Sequence, residues 1–104
     1  MFAGNSHVQG EIPSMFFYYN TRLQNIKDMF WGSGFDAVGD GLFERNKDLR
    51  NVENAFREKS TMTGTITPIW NTSLYKNITA YALCFQNCKK LSNWNDIPST
   101  WKNA

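Results

Sequence analysis

The residues of this chain that could carry out chemistry are few and widely spaced. Cys84 and Cys88 form a C-x-x-x-C motif, and His7 is the single histidine. Two thiols and one distant imidazole do not make a zinc site, which usually needs about four ligands. Cysteines at this spacing could form a disulfide only across a helical turn and with strain. We expect Cys88 to be a small buried hydrophobic residue and His7 to lie on the surface.

Acidic residues offer one enzymatic alternative. Asp36, Asp40 and Glu44 are close in sequence, and paired carboxylates are the acid and base of glycosidases. These residues fall in turns and change identity between internal copies of the sequence, as residues of a solvated face do. No nucleophile motif accompanies them. The sequence therefore predicts a protein that is not an enzyme and uses no cofactor.

The composition argues against two further classes of function. The formal net charge is +2, and the basic residues are interleaved with acidic ones, so we expect no nucleic-acid partner. No stretch approaches the ~20 apolar residues of a membrane-spanning helix, so we expect no membrane insertion. A length of 104 residues predicts a single domain.

An internal repeat predicts the elements that position these residues. The segment "FFYYNTRLQNIKDMF" at 16–30 is echoed by "LFERNKDLRNVENAF" at 42–56, and a weaker copy at 77–78 has its phenylalanine delayed to Phe85. A period of this length is typical of solenoids, in which each unit buries its apolar face against the next. We predict an α/β repeat solenoid, a leucine-rich-repeat-like coil of short strands and short helical or 3-10 turns. It would contain about 3.5 repeats of roughly 26–30 residues.

The predicted domain spans 1–104, with repeats near 1–30, 31–56 and 57–88 and a cap at 89–104. The chain opens on "MFAG", which matches "MFWG" inside the repeat at 29–32. We therefore expect a C-terminal fragment of a longer protein. Glycines and prolines interrupt the helical patterns, which argues against long helices.

With these residues in view, the chain resembles the leucine-rich repeats of the BspA type. The matching phrases are "IPSMFFYYNTRLQNIKDMFWGSGF", "VGDGLFERNKDLRNVENAF" and "TGTITPIWNTSLYKNITAYALCFQNCKKLSNWNDIPSTWKNA". The chain departs from that pattern at Ser33 and Lys59, where the family commonly has a cysteine that only Cys88 keeps. The family occurs in bacterial surface proteins and in phage tail or fibre proteins. The resemblance implies adhesion or receptor binding at an extracellular location, either a bacterial cell surface or a virion.

Residues that differ between copies while the apolar ones are kept form the predicted binding face. Lys27, Glu53 and Thr79 recur at one place, and Tyr18-Tyr19 becomes Glu44-Arg45 at another. Exposed aromatic side chains are natural anchors for protein or sugar ligands. The predicted ligand-binding residues are Tyr18, Tyr19, Lys27, Trp31, Glu53, Tyr75 and Tyr81.

Two classes of function remain open. The first is a non-enzymatic binding or adhesion module that recognises a protein or glycan on a host or partner surface. The alternative is a structural component of a larger assembly, such as a phage tail or head fibre or a cell-surface stalk. In that case the exposed aromatics would pack against sister chains or neighbouring virion or surface proteins.

Overall fold

The computed structural model describes residues 10–102, so His7 and the opening "MFAG" lie outside the described residues. In chain order the elements are β1 (Gly10–Ile12), β2 (Phe35–Val38), β3 (Thr63–Gly64), a 3-10 turn (Trp94–Asp96) and α1 (Ser99–Lys102). Much of the remaining chain runs through hydrogen-bonded turns. Short elements are expected where glycine and proline recur at this density, because both residues end helices and strands.

The three strands form one parallel sheet in the order β1-β2-β3. Ile12 pairs with Val38, and Val38 pairs with Gly64. A second line of parallel contacts runs through the isolated bridges between Asn25 and Asn51 and between Asn51 and Ala80. Successive passes of the chain therefore lie side by side along two lines.

Phenylalanine rings fill the space between these two lines. Phe30 stacks on Phe56 with ring centroids 5.1 Å apart, and Phe56 stacks on Phe85 at 5.4 Å. Phe17 and Phe43 form a parallel pair at 5.6 Å, and Trp101 of α1 covers Phe85 at 6.3 Å. Burying a phenyl side chain stabilises a fold by about 1.5–3 kcal/mol, so these rings are a large part of the core.

The prediction of a leucine-rich-repeat-like solenoid is wrong. The Cα radius of gyration is 12.2 Å, close to the ~13 Å of a compact domain of about 100 residues. The described part of the chain is a compact globule with one three-stranded parallel sheet, one 3-10 turn and one four-residue helix. A unit of strand plus helix does not recur in it, because β3 has only two residues and the single helix closes the core through Trp101.

The third copy of the sequence pattern is displaced from its predicted position. Asn51 pairs with Ala80, whereas Asn77, the predicted partner, is exposed. The backbone agrees with this register, since Asp28, Asn54 and Leu83 share the left-handed conformation, with φ of 60°, 59° and 59°. The extra residues therefore precede Ala80, and they also explain why the third phenylalanine comes late.

Candidate ligand-binding cleft

One predicted site residue, Tyr18, lines a concave feature at the edge where the parallel strands end. The turns that follow β1 and β2 enclose a cleft of about 380 Å³. Parallel strands bring the turns that follow them to the same edge of a sheet, and ligands often bind at that edge. We call this feature the strand-end cleft, and its lining includes Met15, Tyr18, Asp40, Glu44, Arg45 and Asn46.

A neighbouring cavity extends the cleft toward the third strand. It has a volume of about 370 Å³ and shares Asp40 and Glu44 with the strand-end cleft. Its other wall is formed by Thr65, Thr67 and Pro68, which follow β3. The carboxylates of Asp40 and Glu44 therefore border both cavities. The turns that follow all three strands contribute to their surroundings.

Glycines in the turn after β2 allow it to pack tightly. Gly39 donates its N–H to the Ile12 carbonyl at 2.8 Å, and a Cβ at Gly39 would overlap the Ser14 backbone. Gly41 has a φ of +74°, a conformation that side chains other than glycine rarely adopt. The Glu44 N–H donates to the Gly41 carbonyl at 3.0 Å and closes the turn.

The Glu44 side chain folds back over this turn. Its Oε2 lies only 2.8 Å from where a Cβ on Gly41 would be. Gly41 thus leaves the space that the carboxylate occupies. Among residues 10–102 one ion pair forms, between Lys27 and Glu53. Asp40 and Glu44 therefore have no ion-pair partner in this range.

Tyr18 forms one wall of the cleft, and its ring is held by two neighbours. The Arg45 guanidinium lies over the ring, 4.2 Å from its centroid, and Tyr19 packs against it in a T-shaped contact at 4.9 Å. Cation–π contacts of this kind contribute about 0.5–1 kcal/mol at exposed sites. The guanidinium is therefore engaged by an aromatic face and forms no ion pair with the nearby carboxylates.

Asn46 lies in the cleft lining and is fully buried, with 0% of its surface exposed. Its Nδ2 donates to the carbonyls of Phe17 at 3.1 Å and Asn20 at 2.8 Å. Its Oδ1 is buried and has no hydrogen-bond partner among the described residues. Such an acceptor is costly to leave unpaired, and its burial puts it out of reach of a ligand in this structure.

The structure distributes the remaining predicted site residues over several surfaces. Tyr19 is 86% exposed and lines a separate cavity of about 420 Å³. Lys27 and Glu53 form an ion pair with each other at 3.4 Å. The Trp31 ring lies under the Arg57 guanidinium at 4.6 Å. Of the seven predicted residues, Tyr18 is the one that lines the strand-end cleft.

Two of the predicted binding residues, Tyr75 and Tyr81, pack against other parts of the chain, and their role in binding stays a prediction. Tyr75 is 3% exposed, and its hydroxyl donates to the Phe43 carbonyl at 2.8 Å. Burial raises the pKa of Tyr75 to about 12. Tyr81 is half-buried and stacks on Trp101 at 4.8 Å with an angle of 9° between the rings. Both rings therefore satisfy their packing and hydrogen bonding within the chain.

The grouping of Thr79 with Lys27 and Glu53 is wrong. Asp28 N–H donates to the Glu53 carbonyl, and the corresponding Asn54 N–H donates to the Ala82 carbonyl. Ala82 therefore occupies the place predicted for Thr79, because the third pass is shifted by three residues.

Sequence reasoning did not select the other residues of the cleft as ligand-binding. Asp40 and Glu44 were interpreted as part of a solvated face, and both are exposed. Their position after β2, in the turn "GDGLFE", is the available signal, because turns at the carboxyl ends of parallel strands often form binding sites. The buried Asn46 has an equally usable signal, since an amide repeated at Asn20 and Asn46 indicates a hydrogen-bonding position.

The cysteines are buried within the core. Cys84 and Cys88 are both free and buried, so the prediction that Cys88 is a small buried hydrophobic residue is confirmed. The Cys88 thiol donates to the Phe56 carbonyl at 2.9 Å. Burial raises the pKa of Cys88 to about 12 and also raises the pKa of Cys84. Neither thiol is suited to act as a nucleophile, because the thiolate is the reactive form.

Lys59 occupies the place that corresponds to Cys88 one pass earlier in the chain. It is buried, and its Nζ donates to the Ser33 carbonyl. Burial lowers the pKa of Lys59, while nearby Cys88 and Asp36 act in the opposite direction. The Ser33 hydroxyl is also buried and has no partner among the described residues. This polar column lies in the core and borders none of the cavities described above.

Neither a metal-binding cluster nor a membrane-spanning helix is found among the described residues. Between residues 10 and 102 no group of three or more histidine, cysteine or acidic side chains is arranged to hold a metal ion. Within the same range no helix has the length and apolar character needed to cross a membrane.

Comparisons with models of known protein families, with curated proteins and with solved structures find no match to this chain. The resemblance to BspA-type repeats therefore stays a hypothesis from the sequence. The geometry of the described residues is the remaining basis for a functional conclusion.

Proposed function

We propose that this chain is a non-enzymatic binding module that recognises a protein or a glycan on a host or partner surface through the strand-end cleft. The observation that carries the proposal is a cleft of about 380 Å³ at the ends of adjacent strands. It is lined by Tyr18 and by the carboxylates of Asp40 and Glu44, which have no ion-pair partner among residues 10–102. Concave sites with a few convergent polar groups are the usual places of ligand binding.

The packing beneath the cleft supports the proposal. The stacked rings of Phe17 and Phe43 lie directly under the turns that form it, and Arg45 fixes the ring of Tyr18 at its wall. A preorganised site binds more tightly because less conformational freedom is lost on association. An extracellular location, on a bacterial cell surface or a virion, is part of the same proposal and rests on the sequence resemblance alone.

An array of glycans and short peptides tests the proposal with two matched tyrosine variants. We expect Tyr18→Ala to weaken capture of the array ligand at least ~10-fold, the loss typical of an interface anchor. Tyr19→Ala should weaken capture less than Tyr18→Ala does, because Tyr19 packs against the Tyr18 ring but does not line the cleft. Retained capture by Tyr18→Ala, or equal losses in both variants, would count against this site.

A structural role in a larger assembly is the second candidate. Four large apolar side chains are exposed on the described surface, with Met15 at 60%, Tyr19 at 86%, Trp31 at 36% and Leu74 at 54%. Exposed apolar side chains favour contact with other protein chains when they form a patch. Light scattering at low micromolar concentration separates the two roles. A monomer supports the binding module, and an obligate oligomer supports the structural component.

A further inference from the structure

We propose that Asp40 is a covalent modification site, at which the aspartate converts to isoaspartate through a cyclic imide formed with the backbone nitrogen of Gly41. The reaction takes place within the chain and needs no enzyme. The inference stands on the local structure of the turn after β2. Only its consequence for ligand capture rests on the proposed function.

The conversion is an intramolecular condensation followed by a hydrolysis. The Gly41 nitrogen attacks the protonated side-chain carboxyl of Asp40 and loses its proton, and a water molecule leaves as a five-membered imide ring closes. Water then opens the ring at one of its two carbonyls. One opening restores aspartate, and the other leaves the main chain running through the Cβ of Asp40 with the former α-carbonyl as a free carboxylate. Such ring closures are fast when the two groups are held close together.

The residue that follows an aspartate controls this reaction, because a side chain there hinders the approach of the carboxyl to the backbone nitrogen. Glycine has no side chain and allows a wide range of backbone angles. Asp40 alone among the five aspartates of the chain precedes a glycine. The sequence therefore places the least hindered backbone nitrogen next to Asp40.

The structure leaves the same nitrogen available for attack. The Gly41 N–H donates no backbone hydrogen bond among residues 10–102. The nitrogens that follow three other aspartates donate to carbonyls, at 3.1 Å for Met29, 3.5 Å for Leu49 and 3.2 Å for Ile97. Ala37, which follows the remaining aspartate, pairs within the sheet. Hydrogen bonding therefore restrains the competing sites and leaves Gly41 unrestrained.

The side chain of Asp40 is free to turn toward this nitrogen. It is exposed, and it forms no ion pair among residues 10–102. Gly39 precedes it and Gly41 follows it, so neither neighbour carries a side chain that blocks its rotation. Both reacting groups are thus accessible in the folded chain.

Isoaspartate would disturb the strand-end cleft, because it lengthens the main chain by one carbon–carbon bond, about 1.5 Å. The turn is fixed on both sides of Asp40. Gly39 donates its N–H to the Ile12 carbonyl at 2.8 Å, and the Glu44 N–H donates to the Gly41 carbonyl at 3.0 Å. Extra length between these two hydrogen bonds displaces Glu44 from the cleft wall, so we expect the conversion to weaken ligand capture.

Ageing the whole chain at neutral pH and physiological temperature tests the site. Trypsin releases the peptide "DMFWGSGFDAVGDGLFER" at 28–45, which contains Asp28, Asp36 and Asp40, so two aspartates serve as internal controls. Electron-transfer fragmentation distinguishes isoaspartate from aspartate at each position. We expect isoaspartate to accumulate at Asp40 and not at Asp36, which is equally classed as exposed.

A chain unfolded in urea shows whether the fold protects the site. Isoaspartate at Asp40 in the unfolded chain alone would overturn the inference, because the folded turn would then hold the two groups apart. Equal accumulation at Asp36 and Asp40 in the folded chain would also overturn it.

Asp40→Glu is the matched variant, because it keeps the charge while its ring would have six members and closes far more slowly. Its capture on the glycan and peptide array should be the same before and after ageing, whatever its starting level. The parent chain should lose capture in proportion to the fraction modified. Modification with unchanged capture would leave the site in place and overturn the cleft as the binding surface. If no isoaspartate forms while Tyr18→Ala still weakens capture, the modification is overturned and the proposed function stands.

Discussion

The rings of Phe56 and Phe85 lie face to face, with centroids 5.4 Å apart and an angle of 8° between their planes. Phe30 covers the opposite side of Phe56 at 5.1 Å. Phe56 is therefore enclosed by aromatic rings contributed by the preceding and the following pass of the chain. The stack of Phe30, Phe56 and Phe85 therefore links three successive passes of the chain within the described core.

Phe56→Ala tests the importance of this stack. The ring is fully buried, so its removal should lower the free energy of unfolding by ~3–5 kcal/mol, the usual cost of emptying a phenyl site. Chemical denaturation measures this directly. Leu74→Ala is the matched control, because Leu74 is 54% exposed and should change stability by less than about 0.5 kcal/mol. A loss below ~1 kcal/mol for Phe56→Ala would contradict the stacked core.

Gly64→Ala tests the close approach of β3 to β2. Gly64 has a φ of +103°, and a Cβ there would overlap the Val38 carbonyl oxygen. Gly10 has a similar φ of +93°, with no atom of residues 10–102 within 4 Å of its Cβ position, so within the described part of the chain Gly10→Ala adds backbone strain alone. We expect losses of about 1 kcal/mol for Gly10→Ala and about 3 kcal/mol for Gly64→Ala. Equal losses in thermal unfolding would indicate that the strands are farther apart.

Tyr75→Phe distinguishes a packing residue from a binding residue. Removing the hydroxyl leaves the Phe43 carbonyl without the hydrogen bond it accepts at 2.8 Å, which should cost ~1–2 kcal/mol in urea unfolding. Capture of the array ligand should be unaffected, because Tyr75 does not line the cleft. Weaker capture with unchanged stability would show that Tyr75 contributes to binding.

The buried thiols predict a loss of stability at alkaline pH. The pKa of Cys88 is raised from its usual value of 9.0 to about 12, so the unfolded chain releases this proton first. Above pH 9 the unfolded state binds fewer protons than the folded state, and the free energy of unfolding therefore falls as pH rises. The pKa of Lys59 is lowered, which has the opposite effect. For this group the free energy of unfolding rises as the pH increases toward 10.5, the usual pKa of lysine.

Urea unfolding between pH 8 and 10 limits the contribution of tyrosines, whose usual pKa is 10.0, and comparison with a variant that lacks both thiols isolates the thiol contribution. The decline should be smaller in the Cys84→Ala, Cys88→Ala double variant, which loses both groups. An identical pH profile in the double variant would mean that other groups cause the decline.

The stack illustrates what the sequence was able to predict. Phe30 and Phe56 are one sequence period apart, and they do lie against each other. The repeated spacing identifies which residues meet, because equal intervals return the chain to the same place. It does not reveal the overall shape, which is a compact globule closed by Trp101 and not the predicted solenoid.

The site was less predictable for two physical reasons. Extra residues before Ala80 shift the register of the third pass of the chain. Tyr75 is therefore buried and Tyr81 half-buried, although the sequence pattern assigns neither of them a place in the core. The cleft depends on the packing of two turns that are distant in sequence, through the close approach of Gly39 to Ser14. Only Tyr18 was identified in advance, because an aromatic residue in a variable turn is recognisable from sequence alone.

The position of a bound ligand is the most direct test of the proposed site. A ligand captured on the array and carrying a spin label at one end broadens the amide signals of residues close to it. We expect broadening centred on Tyr18, Asp40 and Glu44, which is lost in the Tyr18→Ala variant. Broadening centred instead on Lys27 and Glu53, or spread evenly over the chain, would contradict the assignment of the strand-end cleft as the binding site.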